Sequence, residues 1–278
     1  MKTLCILTYE RTGSGWLSSV FDVQNTISLH ELFSDDPLLW MSKCYKILAK
    51  IYNVDTELMN FLLSVYHYNN FFIDTNNYNN IKNNILKKNI YNQSILKLFI
   101  NICKKNNYNL VFKLFPQHLK YISIDFLYDN IDYIILNYRQ DLIKNYYSLE
   151  KAMATGVWFS DQKNRQNTNN NTEIKWDETK YNIYVNQTIK NIELLMNIYK
   201  NFNKTKCIIS YEQIHEKEFL NNKEKIEFLQ TILHIENLSL PVQNNEYFLK
   251  QNDKLQFSNY FDFNKSIESN RLKKKICL

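Results

Sequence analysis

The chain has 278 residues, 45 % of them apolar and 15 % aromatic, so it can bury a sizeable core and is not a disordered polymer. A formal net charge of +6 is mild for this length; it suits an anionic ligand but does not require nucleic acid, and none is expected as a partner. Five scattered cysteines (Cys5, Cys44, Cys103, Cys207, Cys277) with no C-x-x-C pair argue against a disulfide framework and for reduced thiols in a cytoplasmic protein.

Residues 3–8 form a short apolar, β-rich run. The segment "LCILTY" is too short for the apolar core of a signal peptide, and no transmembrane segment is expected. A loop follows, and from Ser14 the pattern is helical ("SGWLSSVFDV"), so the order is strand, tight loop, helix. The chain holds only three glycines where average usage would give roughly 19. Gly13 and Gly15 stand in this loop, and Gly156 is the third.

A second β-like run covers 26–33 ("TISLHELF"). Residues 37–105 carry apolar side chains three and four apart and are expected to form a helical insertion over a sheet. The Asn-, Lys- and Tyr-rich runs within and after it are read as compositional drift rather than functional low complexity.

Another strand is expected at 108–115, broken by Pro116, and another at 133–138. The latter leads into the helix "DLIKNYYSLEKAMAT", which Gly156 can cap. Segment 159–178 is polar and loop-like. An amphipathic helix covers 177–202, with Tyr181, Val185, Ile189, Ile192, Met196 and Tyr199 on one face. A strand at 206–211 and a helix around 222–234 follow. Strands alternating with helices predict an α/β fold, in one domain over 1–278, with a mainly parallel central sheet flanked by helices. The tail "KKKICL" has Lys275 where a prenylated Cys would stand, and the N-x-S/T matches at Asn92, Asn170, Asn186, Asn203 and Asn237 are expected to go unmodified.

A strand entering a glycine-bearing loop that opens a helix has two readings. It is a phosphate cradle, because glycine lets the backbone turn and approach while N–H groups bind an anion, or it is an ordinary βα turn. Arg11 favours the cradle, since a guanidinium forks two hydrogen bonds onto a phosphate. The patterns G-x-x-x-x-G-K-[ST] and G-x-G-x-x-G are both absent, which disfavours an NTPase and a dinucleotide enzyme.

The segment "RTGSGWL" (11–17) resembles the 5′-phosphosulfate loop of sulfotransferases that use 3′-phosphoadenosine 5′-phosphosulfate (PAPS), with the pattern R-[ST]-G-[ST]-x-[WLY]-L. A second segment, "IILNYRQDLIKNYYSLEKAMATGVW" (134–158), resembles that family's 3′-phosphate element: a strand ending in Arg, a helix carrying Ser, then A-x-x-T-G-x-W. Its last part is similar to the bacterial trehalose and nodulation-factor branch. The segment "ISYE" (209–212) also resembles the family.

The resemblance implies a P-loop-like three-layer fold, PAPS as donor, 3′-phosphoadenosine 5′-phosphate (PAP) as product, and no metal. It implies that Arg11 meets the 5′-phosphosulfate, with donors from Thr12, Gly13, Ser14, Gly15 and Trp16, and that Arg139 and Ser148 bind the 3′-phosphate. Fixed N–H groups and a guanidinium at the leaving phosphate oxygen would stabilise the transition state for sulfuryl transfer. Where the family often has Arg-Arg, this chain has Arg139-Gln140, which removes one candidate phosphate contact. Lys163, Arg165, Lys175 and Arg271 are candidates for a further basic ligand, each against the reading of a plain surface charge.

The acceptor hydroxyl needs a general base. "LHELF" (29–33) matches the family segment that carries a catalytic acid, which implies Glu31; His30 is the lesser candidate, because strand alternation would turn it to the opposite face. Lys113 matches a family lysine near the sulfonate or the acceptor. His118 is weighed as a structural histidine before a catalytic one, and Trp158 and Trp176 as core before stacking platforms. His67, His215 and His234 show no metal spacing. The expected partner is a hydroxyl-bearing acceptor, on a carbohydrate or glycolipid. The rival readings are a kinase with a degenerate phosphate loop and a non-catalytic relative that binds a glycan or a partner protein.

Overall fold

The computed structural model describes residues 1–21, 25–31, 33, 93–156, 173–215 and 227. Residues 37–92 of the insertion expected over 37–105, the helix expected around 222–234 apart from residue 227, and Trp158, Lys163, Arg165, Arg271, His67 and His234 lie outside the described residues, as does the side chain of His215.

The described elements follow in chain order. They are β1 (Thr3–Leu7), α1 (Ser14–Val20), β2 (Thr26–Glu31), α2 (Gln93–Lys105), β3 (Asn109–Leu114), a 3-10 turn (Pro116–Lys120) and α3 (Ile124–Asn130). Then come β4 (Tyr133–Tyr138), α4 (Leu142–Thr155), α5 (Glu178–Asn201), β5 (Thr205–Ser210) and α6 (Tyr211–His215). All four strand pairings are parallel, in the order β2-β3-β1-β4-β5.

Alternation along the strands builds two apolar faces. Cys5, Leu7, Leu110, Phe112, Leu114, Ile134 and Leu136 pack with Leu96, Phe99 and Cys103 of α2, Leu127 of α3 and Leu195 and Ile198 of α5. On the opposite face Leu4, Ile6, Val111 and Ile135 pack with Trp16, Leu17 and Val20 of α1 and Ile214 of α6. Strands buried on both faces explain the near-continuous apolar runs. The result is the expected α/β arrangement of helix layers on either side of a parallel sheet.

Local chemistry sets the element ends. Gly13 (φ 74°) takes the left-handed conformation as N-cap of α1, and Gly156 (φ 68°) takes it as C-cap of α4, so both glycines stand where a side chain would be strained. Asp141 caps α4 by accepting from Lys144 N–H at 2.9 Å, and Asp177 caps α5 in the same way through Lys180. Along α5 the buried set Tyr181, Val185, Ile192 and Met196 follows the stripe expected from sequence, with Thr188, Leu195 and Ile198 added to it.

Strand β2 departs from simple alternation. Ser28 pairs with Val111 and Glu31 with Lys113, so one extra residue is accommodated and the ladder shifts. His30 carries the strain, at φ 51°. The alternation argument that separated His30 from Glu31 therefore does not apply across this bulge.

The strand order fixes where a ligand can sit. The chain leaves β1 toward β2 on one edge and leaves β4 toward β5 on the other, while β1 and β4 lie side by side. Connections that diverge in this way open a crevice beyond the carboxyl ends of the strands. The loop after β1 carries Arg11, and the residue after β4 is Arg139.

Candidate functional site

Two segments far apart in sequence meet at this crevice. Arg11 Nε donates to Ser148 Oγ on α4 at 2.9 Å. Arg139 Nη1 donates to the carbonyl oxygen of Arg11 at 3.4 Å. Burial, and next to it the charge of Arg139, push the Arg11 guanidinium below its ordinary value. Two cations held this close destabilise one another unless an anion joins them.

Arg139 is 7 % exposed and held on several sides. The Tyr9 hydroxyl donates to its carbonyl at 2.9 Å and accepts from its N–H at 3.0 Å. The Tyr211 ring lies under the guanidinium, 4.1 Å from centroid to Cζ, a cation–π contact. The next backbone N–H groups, of Gln140 and Asp141, both donate to the Glu212 carboxylate at 3.0 Å. The Nε of Arg139 is buried and has no hydrogen-bond partner among the described residues. A guanidinium pinned through its backbone and its face, with a donor left over, is prepared for an anionic ligand.

The rest of the loop divides into inward and outward parts. The Thr12 hydroxyl is buried and donates to Thr8 Oγ1 at 2.6 Å, with the Tyr9 carbonyl oxygen 3.1 Å away. Thr8 in turn donates to Asn137 Oδ1 at 3.2 Å, tying the loop to the end of β4. Trp16 is in the core beneath α1, and Ser14 is buried at the start of that helix. Gly15 follows in its first turn.

A second group gathers where β2 and β3 end. Glu31 and Lys113 are register partners. His118 Nδ1 accepts from Phe115 N–H at 3.2 Å, so the neutral ring carries its proton on Nε2, and Nε2 faces Glu31 Oε1 at 3.5 Å. His118 is thus a donor toward Glu31 and its ring packs edge-on to Phe33. Lys113 is 4 % exposed; burial pushes its ammonium below the ordinary value and the Glu31 charge opposes that shift. Its Nζ stands 5.5 Å from the centre of the Phe115 ring. Gln117 Nε2 donates to Glu10 Oε1 at 3.2 Å, linking the 3-10 turn that carries His118 to the Arg11 loop.

Other candidates fall elsewhere. Trp176 is buried among Tyr146 and Tyr181 as core, and Lys175 is exposed. Gln140 Nε2 donates to the Tyr138 hydroxyl at 3.3 Å. Among the described residues no group of three or more His, Cys, Asp or Glu could hold a metal ion. No described helix is long and apolar enough to cross a membrane.

Sequence reasoning did not single out Tyr9, Tyr211 or Glu212. Tyr9 is one of 20 tyrosines, so residue type alone gives no signal. Tyr211 and Glu212 lie in "ISYE", which was legible as a motif but carried no role. Family models, curated proteins and solved structures were all compared with the chain, and none matches it.

Proposed function

We propose that this chain is a PAPS-dependent sulfotransferase that acts on a hydroxyl of a carbohydrate or glycolipid. The observation that carries the reading is the pair Arg11 and Arg139, converging at the β1–β4 crevice with Ser148. It joins the two segments that resemble the family's phosphate elements, and the leftover buried Nε of Arg139 fits an anionic donor.

PAPS supplies an activated sulfuryl group and phosphates at two ends of one nucleoside. Arg11, braced by Ser148, is assigned to the 5′ side, where negative charge grows on the leaving oxygen during transfer. Arg139 and Ser148 are assigned to the 3′-phosphate. Arg139, already held through its backbone by Tyr9 and through its guanidinium face by Tyr211, needs little reorganisation when the 3′-phosphate arrives. Glu31 is assigned to take the proton of the acceptor hydroxyl, with His118 Nε2–H orienting its carboxylate. Lys113, the register partner of Glu31, supplies a nearby positive charge.

Calorimetric titration with PAP tests the reading. Wild type is expected to bind at micromolar concentration or tighter, and Arg11→Ala and Arg139→Ala to bind far more weakly. Undetectable binding by the wild type overturns the assignment. Binding of ATP without PAP would instead support a kinase with a degenerate phosphate loop. The acceptor is then identified by a screen with labelled PAPS.

A further inference from the structure

Beside the two arginines lies a hydrogen-bond relay that the assigned roles leave unused. Asn145 is on α4, one turn before Ser148, and is fully buried (0 % exposed). Residues three apart on a helix share a face, so Asn145 and Ser148 lie on one side of α4, the side that meets Arg11. The Tyr184 hydroxyl on α5 donates to Asn145 Oδ1. Thr188, one turn further along α5, lies beside the same phenol.

The relay fixes the amide. With Oδ1 committed to Tyr184, the two N–H donors of Asn145 must face the other way. Nδ2 is buried and has no partner among the described residues. Tyr184 lies close to Arg11, Arg139 and Glu10. A buried amide nitrogen without a partner costs on the order of 1–3 kcal/mol of desolvation. Arg139 Nε is in the same condition, as is Asn137 Nδ2 at the end of β4, so among the described residues three buried donors on β4, its following loop and α4 lack a partner.

We propose that Asn145 is an anion-binding residue of this site, with its Nδ2 donating to the same phosphate-type anion as Arg139 and Ser148, and with Tyr184 setting its orientation. The proposal rests on the reading of the crevice as a donor site but concerns anion chemistry, so it is separable from the identity of the donor. The arrangement gives the anion a neutral amide donor in addition to Arg139 and Ser148, in a chain that has Gln140 where the family it resembles often has a second arginine.

The test titrates PAP and inorganic pyrophosphate into wild type, Asn145→Ala, Asn145→Asp and Tyr184→Phe, with thermal unfolding and near-ultraviolet circular dichroism as checks on folding. Losing a hydrogen bond to a charged group predicts that Asn145→Ala weakens both probes by about tenfold to a hundredfold. Asn145→Asp keeps the shape and the acceptor for Tyr184 but replaces the donor with a carboxyl, so it weakens binding more than alanine does. Tyr184→Phe, which frees the amide to turn, gives a smaller loss. A packing role predicts the reverse order, with aspartate milder than alanine, and that result overturns the proposal. Wild-type affinity in the Asn145 variants, or no binding of either probe by the wild type, also overturns it. If pyrophosphate binds in the predicted order and PAP does not bind, the PAPS assignment falls and Asn145 keeps its role. Should Asn145→Ala not fold, the near-isosteric Asn145→Asp and Tyr184→Phe decide.

Discussion

Arg11 Nε donates to Ser148 Oγ at 2.9 Å across a sequence separation of 137 residues, and this bond joins the loop after β1 to the helix after β4. Each partner fixes the other: the serine oxygen holds the guanidinium plane, and the guanidinium holds the face of α4 toward the crevice. The bond predicts coupling. Ser148→Ala is expected to weaken PAP binding several-fold, and the effects of Ser148→Ala and Arg11→Ala are expected to be less than additive in a double-mutant cycle, since either change removes the same bond. Calorimetry on the two single variants and the double variant measures this, and strict additivity would show that the two residues act independently.

Tyr9 closes both hydrogen-bonding groups of the Arg139 backbone with one hydroxyl. Tyr9→Phe leaves a buried N–H and a buried carbonyl without that partner, at a cost of about 2–4 kcal/mol for the pair. Urea unfolding should show a lower midpoint with an unchanged slope. PAP affinity should fall as well, because the guanidinium is aimed by the backbone that Tyr9 holds. An unchanged midpoint would mean that water replaces the hydroxyl.

His118 holds two partners, Phe115 N–H through Nδ1 and Glu31 through Nε2. His118→Ala is expected to destabilise the fold by about 1–3 kcal/mol, because the buried Phe115 N–H loses its acceptor. Sulfuryl transfer should slow while PAP affinity is retained. Glu31→Gln should likewise keep PAP affinity and lose turnover; lost affinity with normal turnover would show that the base lies elsewhere.

Lys113 gives a pH-dependent signature. Burial lowers its folded-state value beneath the ordinary 10.5, so between the lowered value and 10.5 the unfolded chain binds more protons than the folded one. Stability attributable to this group therefore rises with pH through that window, and the charged lysine is least favourable below it. Lys113→Met removes the buried charge. Its stability relative to wild type should be most favourable at neutral pH and should decline as pH rises toward 10.5, read by denaturant unfolding across the range. A difference that does not change with pH would place the proton elsewhere.

Much of the fold was legible because local chemistry dictates it. The strand at 133–138 was read at the bounds it occupies, and the apolar stripe of α5 followed from its 3.6-residue period. Gly13 and Gly156 stood out in a chain with three glycines, and both sit at positive φ. Less was legible at β2, where the bulge at His30 breaks the period on which the face assignment relied. A bulge costs one residue of register and leaves no mark in the apolar pattern.

The sequence by itself determined the succession of strands and helices, the loop glycine and arginine after β1, and the arginine and serine that follow β4. The period of a strand and the needs of a left-handed cap are local, so they can be read from neighbouring residues. Only the tertiary structure decided that β1 and β4 are neighbours in the order β2-β3-β1-β4-β5, because strands buried on both faces have nearly interchangeable apolar runs and pairing is settled by packing. That pairing brings Arg11 against Ser148 and Arg139. It also decided that the Thr12 hydroxyl turns inward and that His118 carries its proton on Nε2, since each depends on a hydrogen-bond partner that only the folded chain supplies.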